Sequence, residues 1–166
     1  MVMGMGSLSY GELAGERMQL GLFLNDPEEE HDCFSDNTHN SHYFDQIGIS
    51  NVYFGIYKRL NGIVVRGTSL AEYVQSVDSN LAAEIEAGIQ QATAALAMLR
   101  ARAESGEAYD QMLAENNKAG NAMIQASVDA LVQQANVLEK LIEPLGLEDV
   151  SFEGSDSLDN PEDVFK

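Results

Sequence analysis

The stretch LAAEIEAGIQQATAALAMLRARA, residues 81–103, decides the fold class of this chain. Its apolar residues recur at intervals of 4, 4, 3, 4, 3 and 4, at Leu81, Ile85, Ile89, Ala92, Leu96, Leu99 and Ala103. Such spacing places a continuous apolar seam along one side of a helix. The sequence therefore predicts a long helix packed against a partner of similar length.

The partner helix is predicted after Asn117. Its apolar residues alternate at intervals of 4 and 3, at Ile124, Val128, Leu131, Ala135, Leu138, Ile142 and Leu145. Pro144 and Gly146 are stop signals for this helix. Two further helical patterns precede the seam, one over residues 7–25 and one from Tyr43 to Leu60 that Gly48 and Gly55 would kink or shorten.

Four long helices with short connections predict an all-α fold, an antiparallel four-helix bundle. The segment NGIVVRGTS, residues 61–69, is predicted to be a connector in which Thr68 or Ser69 caps a short helix. The bundle is assigned residues 1–149. The acidic, Ser-rich segment 150–166 has no apolar pattern and is predicted to be a disordered or loosely attached tail.

Charge and hydropathy restrict the classes of partner. The chain has 166 residues, 45% of them hydrophobic, which is enough for one domain with a core. Its net charge of -18 disfavours nucleic acid and anionic membrane surfaces and favours cations and basic partners. No window offers the ~20 apolar residues of a membrane helix, and the first residues lack the features of a secretory leader.

The stretch PEEEHDCFSDNTHNSH, residues 27–42, contains all three histidines and the single cysteine. Imidazole and carboxylate groups are ligands for zinc or iron, although the helical His-Glu-x-x-His pattern is absent. A nucleophilic site with Ser35 or Cys33 and a histidine base is a second interpretation. A third is a polar connection, in which Phe34 plugs the bundle end and Ser35 or Asp36 caps the next helix. The residues alone leave all three open.

Four segments, LSYGELAGERM, EEEHDCFSDNTH, IGISNVYFGIY and VRGTSLAEYV, occur in this order and resemble the C-terminal half of the imelysin family of bacterial iron-regulated proteins. The resemblance runs from about Gly6 to Leu147, and the second segment is its most specific part. It implies a protein of two related helical-bundle lobes, in the periplasm or associated with the outer membrane, that takes part in iron acquisition. The family is often grouped with metallopeptidases.

The resemblance also implies a site. Its metal ligands would be Glu30, His31 and His39, and its ligand-binding residues Glu16, Arg17, Ser35, Asp36 and Asn37. No residue is assigned a catalytic role, because the family's Gly-x-His-x-x-Glu signature belongs to the N-terminal half and does not occur here. This chain would therefore supply part of a composite site and bind iron or zinc weakly by itself.

The partners that the resemblance implies are the N-terminal lobe and a metal ion or small iron-containing ligand. Arg17 is either a surface charge or pairs with Asp36 or a bound anion. Cys33 is interpreted as a small buried hydrophobe rather than a ligand. Three functions follow: a binding lobe in iron acquisition, the C-terminal half of a metallopeptidase, or a structural bundle whose loop docks the other lobe.

Overall fold

The computed structural model describes residues 1–164 and contains four long helices in a bundle. In chain order its elements are α1 (residues 2–24), α2 (Thr38–Phe54), β1 (Ile56–Lys58), β2 (Val64–Arg66), α3 (Leu70–Val77), α4 (Ser79–Glu104), α5 (Tyr109–Leu113), α6 (Lys118–Glu139) and α7 (Asp156–Asp159). Ser9 contacts Leu131 and Gln19 contacts Gln125, so α1 and α6 run antiparallel. The prediction of an all-α, antiparallel bundle is confirmed, with one small hairpin added.

The apolar seams of α4 and α6 form much of the core, as the sequence predicts. Leu96 and Leu99 of α4 and Leu131 and Leu138 of α6 are fully buried. The predicted continuation of the second seam is wrong, because α6 ends at Glu139 and the chain proceeds in turns. Ile142 and Leu145 are therefore only half-buried.

Helix α1 changes its winding along its length. Val2–Ser7 and Leu20–Leu24 are α-helical, and Leu8–Gln19 between them is π-helical. The wider turn, with bonds from residue i to i+5, changes which residues face inward. Ser9, Leu13 and Met18, spaced by 4 and 5, are fully buried. Leu24, which α-helical spacing places on the face of Leu13, is instead exposed.

The inner face of α2 is largely polar. It consists of Thr38, His42, Gln46, Ile49 and Tyr53, whereas Phe44 and Val52 are exposed. The side-chain amides of Gln46 and Gln134 bond to each other, and Gln134 Nε2 also donates to Ser9 Oγ at 2.8 Å. Buried amides that are hydrogen-bonded in this way can be accommodated in a core. The helix ends at Gly55, whose φ of +62° favours glycine.

The segment that follows α2 is a hairpin rather than helix. Strand β1 pairs antiparallel with β2, with Tyr57 opposite Val65. The predicted helical pattern up to Leu60 is therefore wrong, because α2 ends before the hairpin. Ser69 begins α3 with a capping box, in which its hydroxyl accepts from the Glu72 N–H and the Glu72 carboxylate accepts from the Ser69 N–H.

The C-terminal segment from residue 150 lies along α1, which differs from the predicted disorder. The phenyl ring of Phe152 packs over Gly6, and the N–H of Glu153 donates to Ser7 Oγ at 3.0 Å. Tyr10 donates its hydroxyl proton to Asp159 Oδ1 at 2.6 Å. The sequence prediction considered only the composition of the segment and missed the surface on which it lies. Residues 165 and 166 fall outside the described residues.

Glycines on α1 allow the segment to approach so closely. A Cβ added at Gly11 would lie 2.6 Å from the carbonyl oxygen of Glu153, and one at Gly15 would collide with Ser155. Contacts that short are possible only where no side chain intervenes. Gly6, Gly11 and Gly15 therefore form a track on α1 that residues 152–155 occupy.

Candidate functional site

The connection between α1 and α2, residues 25–37, forms one end of the bundle. Helix α1 ends at Asn25, which adopts a left-handed φ of +49°. The Asp26 carboxylate then accepts from the N–H of Glu28 at 2.9 Å and starts a 3₁₀ turn at Pro27–Glu29. Asx capping of this kind gives the loop a defined shape without help from the core.

Asp32 and Thr38 attach this loop to the start of α2. The backbone N–H of Asp32 donates to Thr38 Oγ1 at 3.0 Å, and Ser41 donates its hydroxyl to the Asp32 carboxylate. Asp36 has a positive φ of +50°, which turns the chain into the helix. The predicted side-chain cap from Ser35 or Asp36 is wrong, because Asn37 occupies the N-cap position without a side-chain cap bond.

A buried polar cluster lies beneath the loop. Glu30 is 7% exposed, and His42 and Tyr109 are fully buried. The rings of His42 and Tyr109 meet edge to face, with centroids 5.3 Å apart. Among residues 1–164, Glu30 Oε2, both ring nitrogens of His42 and the Tyr109 hydroxyl have no hydrogen-bond partner with normal geometry. A protein interior rarely leaves so many polar atoms unpaired, so this cluster is a marked departure from ordinary core.

Burial shifts the acidity of these three groups. Desolvation raises the pKa of the Glu30 carboxyl, and a hydrogen bond with Thr38 opposes that rise. Desolvation, and then the positive charge of Arg17, lower the pKa of His42 to about 3. Desolvation and the Glu30 charge raise the pKa of Tyr109 well above its usual value. The cluster therefore contains a neutral imidazole and a neutral phenol at physiological pH.

Arg17 pairs with acidic residues on its own helix and on α2. Its Nη1 donates to Asp45 Oδ2 at 2.7 Å, and its Nη2 lies 3.2 Å from Glu12 Oε2. Arg17 therefore pairs with Asp45 and Glu12 and not with Asp36, one of the partners that the sequence suggests. Arg17 is thus an interhelical contact as well as a charge near the loop.

A solvent-open cleft of about 580 Å³ lies between the loop, α2 and α4. It is lined by Asn37, Asn40, Ser41, Phe44, Asp45 and Arg100. The Arg100 guanidinium lies over the rings of Tyr43 and Phe44, at 5.0 and 5.2 Å from their centroids, and bonds to Glu104 at 2.8 Å. The cleft thus combines amide, carboxylate, guanidinium and aromatic groups, which suit a small polar ligand.

The predicted ligand-binding residues lie in three places. Asn37 lines the cleft and Arg17 bonds to Asp45 at its edge, so these two lie in one region. Ser35 and Asp36 are exposed on the loop. Glu16 lies elsewhere, because its carboxylate accepts from Ser155 Oγ at 2.6 Å in the C-terminal segment.

The predicted metal ligands differ in their surroundings. His31 is exposed with its ring centroid 6.4 Å from that of His42, Glu30 is buried, and the half-buried His39 has its Nε2 3.1 Å from the Asn40 amide. Within residues 1–164, no three His, Cys, Asp or Glu side chains are arranged to hold a metal ion. The Glu30, His31 and His39 assignment remains a prediction that needs further ligands.

Phe34 differs from its predicted role. The interpretation of the loop as a polar connection makes Phe34 a plug for the bundle end, but its side chain is 105% exposed relative to a reference residue. The bundle end is closed instead by the buried Glu30, His42 and Tyr109. Cys33 is a free thiol that is only half-buried, which is less than its interpretation as a small buried hydrophobe requires.

Sequence reasoning missed His42 and Tyr109. A signal for His42 was present, because counting back from Tyr53 and Ile49 by helical steps reaches Gln46, His42 and Thr38. The polar character of these positions concealed the pattern. Tyr109 lies in the segment SGEAYDQML, which the sequence suggested only as a break between helices.

Comparison with known proteins assigns the family. The Imelysin model (Peptidase M75) matches residues 1–138, and the chain therefore belongs to the imelysin family. Members of this family are generally extracellular or periplasmic. No curated protein matches the chain. Among the described residues, no helix is long and apolar enough to cross a bilayer.

Proposed function

We propose that this chain is the C-terminal lobe of an imelysin-like cell-envelope protein of iron acquisition, and that loop 25–37 forms one wall of a composite binding site. The observation that carries the proposal is the surface of that loop. Phe34 is fully exposed beside the exposed Ser35 and Asp36. A fully exposed phenylalanine ring on a polar loop supports the proposal, because aromatic side chains are enriched at protein interfaces.

The N-terminal lobe of the same family is the partner that we propose. Glu30, His31 and His39 offer one carboxylate and two imidazoles, which suit iron or zinc. A catalytic or transport site needs at least three well-supported ligands, and the described residues do not gather three. The missing ligands would come from the other lobe, at the face that Phe34 marks. Asn37 and the Arg17–Asp45 pair would contact the bound group.

The proposal includes a location in the periplasm or in association with the outer membrane. Its support is the family, whose members are generally extracellular or periplasmic. A strongly acidic surface also favours the capture of cations over anionic ligands.

Metallopeptidase activity of the complete protein is the second candidate, supported by the peptidase description of the family. In that case the Gly-x-His-x-x-Glu motif of the N-terminal lobe would hold the catalytic metal, and this chain would complete the site. Peptide cleavage by the two lobes together, abolished by a chelator, would favour this function. This chain alone should cleave no peptide.

Calorimetry with Zn²⁺ and Fe²⁺ at ~150 mM salt tests the proposal, because exposed charges are screened over about 8 Å there. We expect binding by this chain no tighter than micromolar, as incomplete and flexible ligand sets bind poorly. His31→Ala combined with His39→Ala should remove it, and addition of the N-terminal lobe should strengthen it.

A matched control removes two exposed carboxylates that follow the end of α6, at the opposite end of the bundle from the loop. Glu143→Ala combined with Glu148→Ala should leave the specific binding unchanged. Nanomolar binding by this chain alone, lost in the double histidine variant, would make the loop a complete site and contradict the composite proposal. Equal loss in the control variant would show that the binding is only non-specific attraction to the acidic surface.

A further inference from the structure

The β1–β2 hairpin projects from the bundle with almost no packing. Residues 57–68 are all exposed. Among them are five large apolar side chains, which are Tyr57, Leu60, Ile63, Val64 and Val65, and Leu60 at the tip is 107% exposed. Exposed apolar side chains concentrated in one short element usually mark an interaction surface.

The hairpin is also the basic part of an acidic protein. Between Asp45 and Glu72 the sequence contains no acidic residue, but it contains Lys58, Arg59 and Arg66. None of these three cations forms an ion pair within the described residues, whereas Arg17, Arg100, Arg102 and Lys140 all do. A surface of charge +3 on a chain of net charge -18 calls for an anionic partner.

An acidic groove of about 820 Å³ lies at the same end of the bundle. It is formed by the start of α4 and the turns that follow α6. Its acidic residues are Asp78, Glu84, Glu139 and Glu143. Its one lysine, Lys140, is bonded to Glu84 at 2.7 Å, and Ile142 and Leu147 supply apolar surface. The groove therefore combines negative charge with apolar surface, as the hairpin combines positive charge with apolar side chains.

We propose that the hairpin of one copy of this chain docks into the acidic groove of a second copy, and that the second copy returns the same contact. Helix α2 leads up to the hairpin at the end of the bundle where α4 begins and α6 finishes. A two-fold axis at that end lets each hairpin face the partner's groove, which is the isologous arrangement of most homodimers. The two reciprocal contacts bury the exposed Leu60 and Ile63 of both copies.

Whether the attraction between hairpin and groove overcomes the repulsion between two acidic copies depends on the distances between their charges. Five residues of strand and turn extend roughly 15 Å at about 3.3 Å per residue. The screening length at ~150 mM salt is about 8 Å. The hairpin tip therefore contacts the groove directly, whereas the charges on the two bundles are separated by more than the screening length and repel each other only weakly. The dimer interface is separate from loop 25–37, so the inference does not depend on metal binding.

Sedimentation velocity at ~150 mM salt tests the proposal first with the unaltered chain. We expect a concentration-dependent dimer at ~100 µM, as modest two-site interfaces give micromolar affinity. Lys58→Glu combined with Arg59→Glu should weaken dimerisation at least tenfold, because like charges would then face each other. A chain that stays monomeric up to ~1 mM would overturn the proposal.

A charge exchange makes the test specific to the two surfaces. Glu139→Lys combined with Glu143→Lys should also give a monomer, since both surfaces are then basic. Mixing this variant with the Lys58→Glu, Arg59→Glu variant should restore a mixed dimer, because each hairpin then meets a groove of opposite charge. The pairing would be overturned if the mixture contained no mixed dimer while either variant alone formed dimers.

The matched control carries the same change in net charge at other positions. Glu115→Lys combined with Asp129→Lys should dimerise at least as well as the unaltered chain, since it lowers the overall repulsion. Loss of the dimer in this control would overturn the assignment to the groove. The last experiment measures binding to phosphatidylglycerol vesicles. If the chain stays monomeric and binds the vesicles only when Lys58 and Arg59 are present, the hairpin is a membrane-binding surface instead.

Discussion

The seam between α4 and α6 and the inner face of α2 are buried to the same degree but consist of opposite kinds of side chain. Leu96 and Leu131 in the seam are fully buried, and so are His42 and Gln46 on α2. Apolar burial needs only volume and spacing, whereas polar burial needs a specific partner for each group. Substitutions in the seam therefore test the stability that apolar packing provides, whereas substitutions on the inner face of α2 test contacts with individual neighbouring side chains.

The largest expected effect lies in the seam. Leu96→Ala or Leu131→Ala should lower the free energy of unfolding by ~2–5 kcal/mol, since each opens a cavity in the packed core. Denaturant unfolding measures the change. Met98→Ala is the matched control, because Met98 is 62% exposed on the same helix as Leu96 and should cost less than about 0.5 kcal/mol. Losses that small at both leucines would place the core elsewhere.

The amide pair on the polar face should behave differently from the seam. Gln134→Leu should cost about 1–3 kcal/mol, because the Gln46 Oε1 atom loses its hydrogen-bond donor in a buried position. The double variant with Gln46→Leu should cost less than the sum of the single changes, because no unpaired amide remains. Gln133→Leu on the exposed side of α6 is the control. Strictly additive losses would show that the two amides are not coupled.

The contrast explains how much of the fold the sequence could predict. The 4 and 3 spacing of Leu, Ile and Ala is repeated for several turns, so it identified α4 and α6 and their buried positions. Within residues 43–60 the apolar residues include Phe44 and Val52, which are exposed, because the true inner face of α2 contains Thr38, His42 and Gln46. Apolar periodicity cannot detect a helix whose buried stripe is polar.

The site was harder to predict than the fold for a related reason. The loop was recognisable from its composition, but its shape depends on backbone turns at Asn25 and Asp36 that no side-chain pattern specifies. Phe34 is also fully exposed, although phenylalanine side chains are usually buried. Arg17 lies in the π-helical part of α1 and contacts Asp45, a partner that the sequence pattern does not indicate.

The C-terminal segment offers an intermediate case, since Phe152 packs on a glycine track and Ser155 bonds to Glu16. Truncation after Asp149 should lower the free energy of unfolding by about 1–2 kcal/mol through lost apolar burial. Gly11→Ala should destabilise the full chain, where the new Cβ meets the Glu153 carbonyl, and not the truncated one. Unchanged stability on truncation would return the segment to the predicted disorder.

The smallest expected effect concerns His42, whose pKa of about 3 lies far below the ordinary 6.5. The unfolded chain takes up a proton below pH 6.5 while the folded chain does not, so the contribution of His42 to stability is complete above that pH and is lost as the pH falls toward 3. Between roughly pH 7.5 and pH 5.5 this loss should be about 1.4 kcal/mol.

Comparison of the unaltered chain with His42→Leu isolates the effect, because all other titrating groups are common to both. The free energy of unfolding of the variant should fall less over the same interval, by about 1.4 kcal/mol. The control is His31→Leu, which removes an exposed imidazole from the same end of the bundle and leaves the buried His42 in place. If His42→Leu and the unaltered chain lose stability equally, the imidazole is hydrated in solution. The inner face of α2 would then be open to water at the loop end and could no longer be compared with the dry seam of α4 and α6.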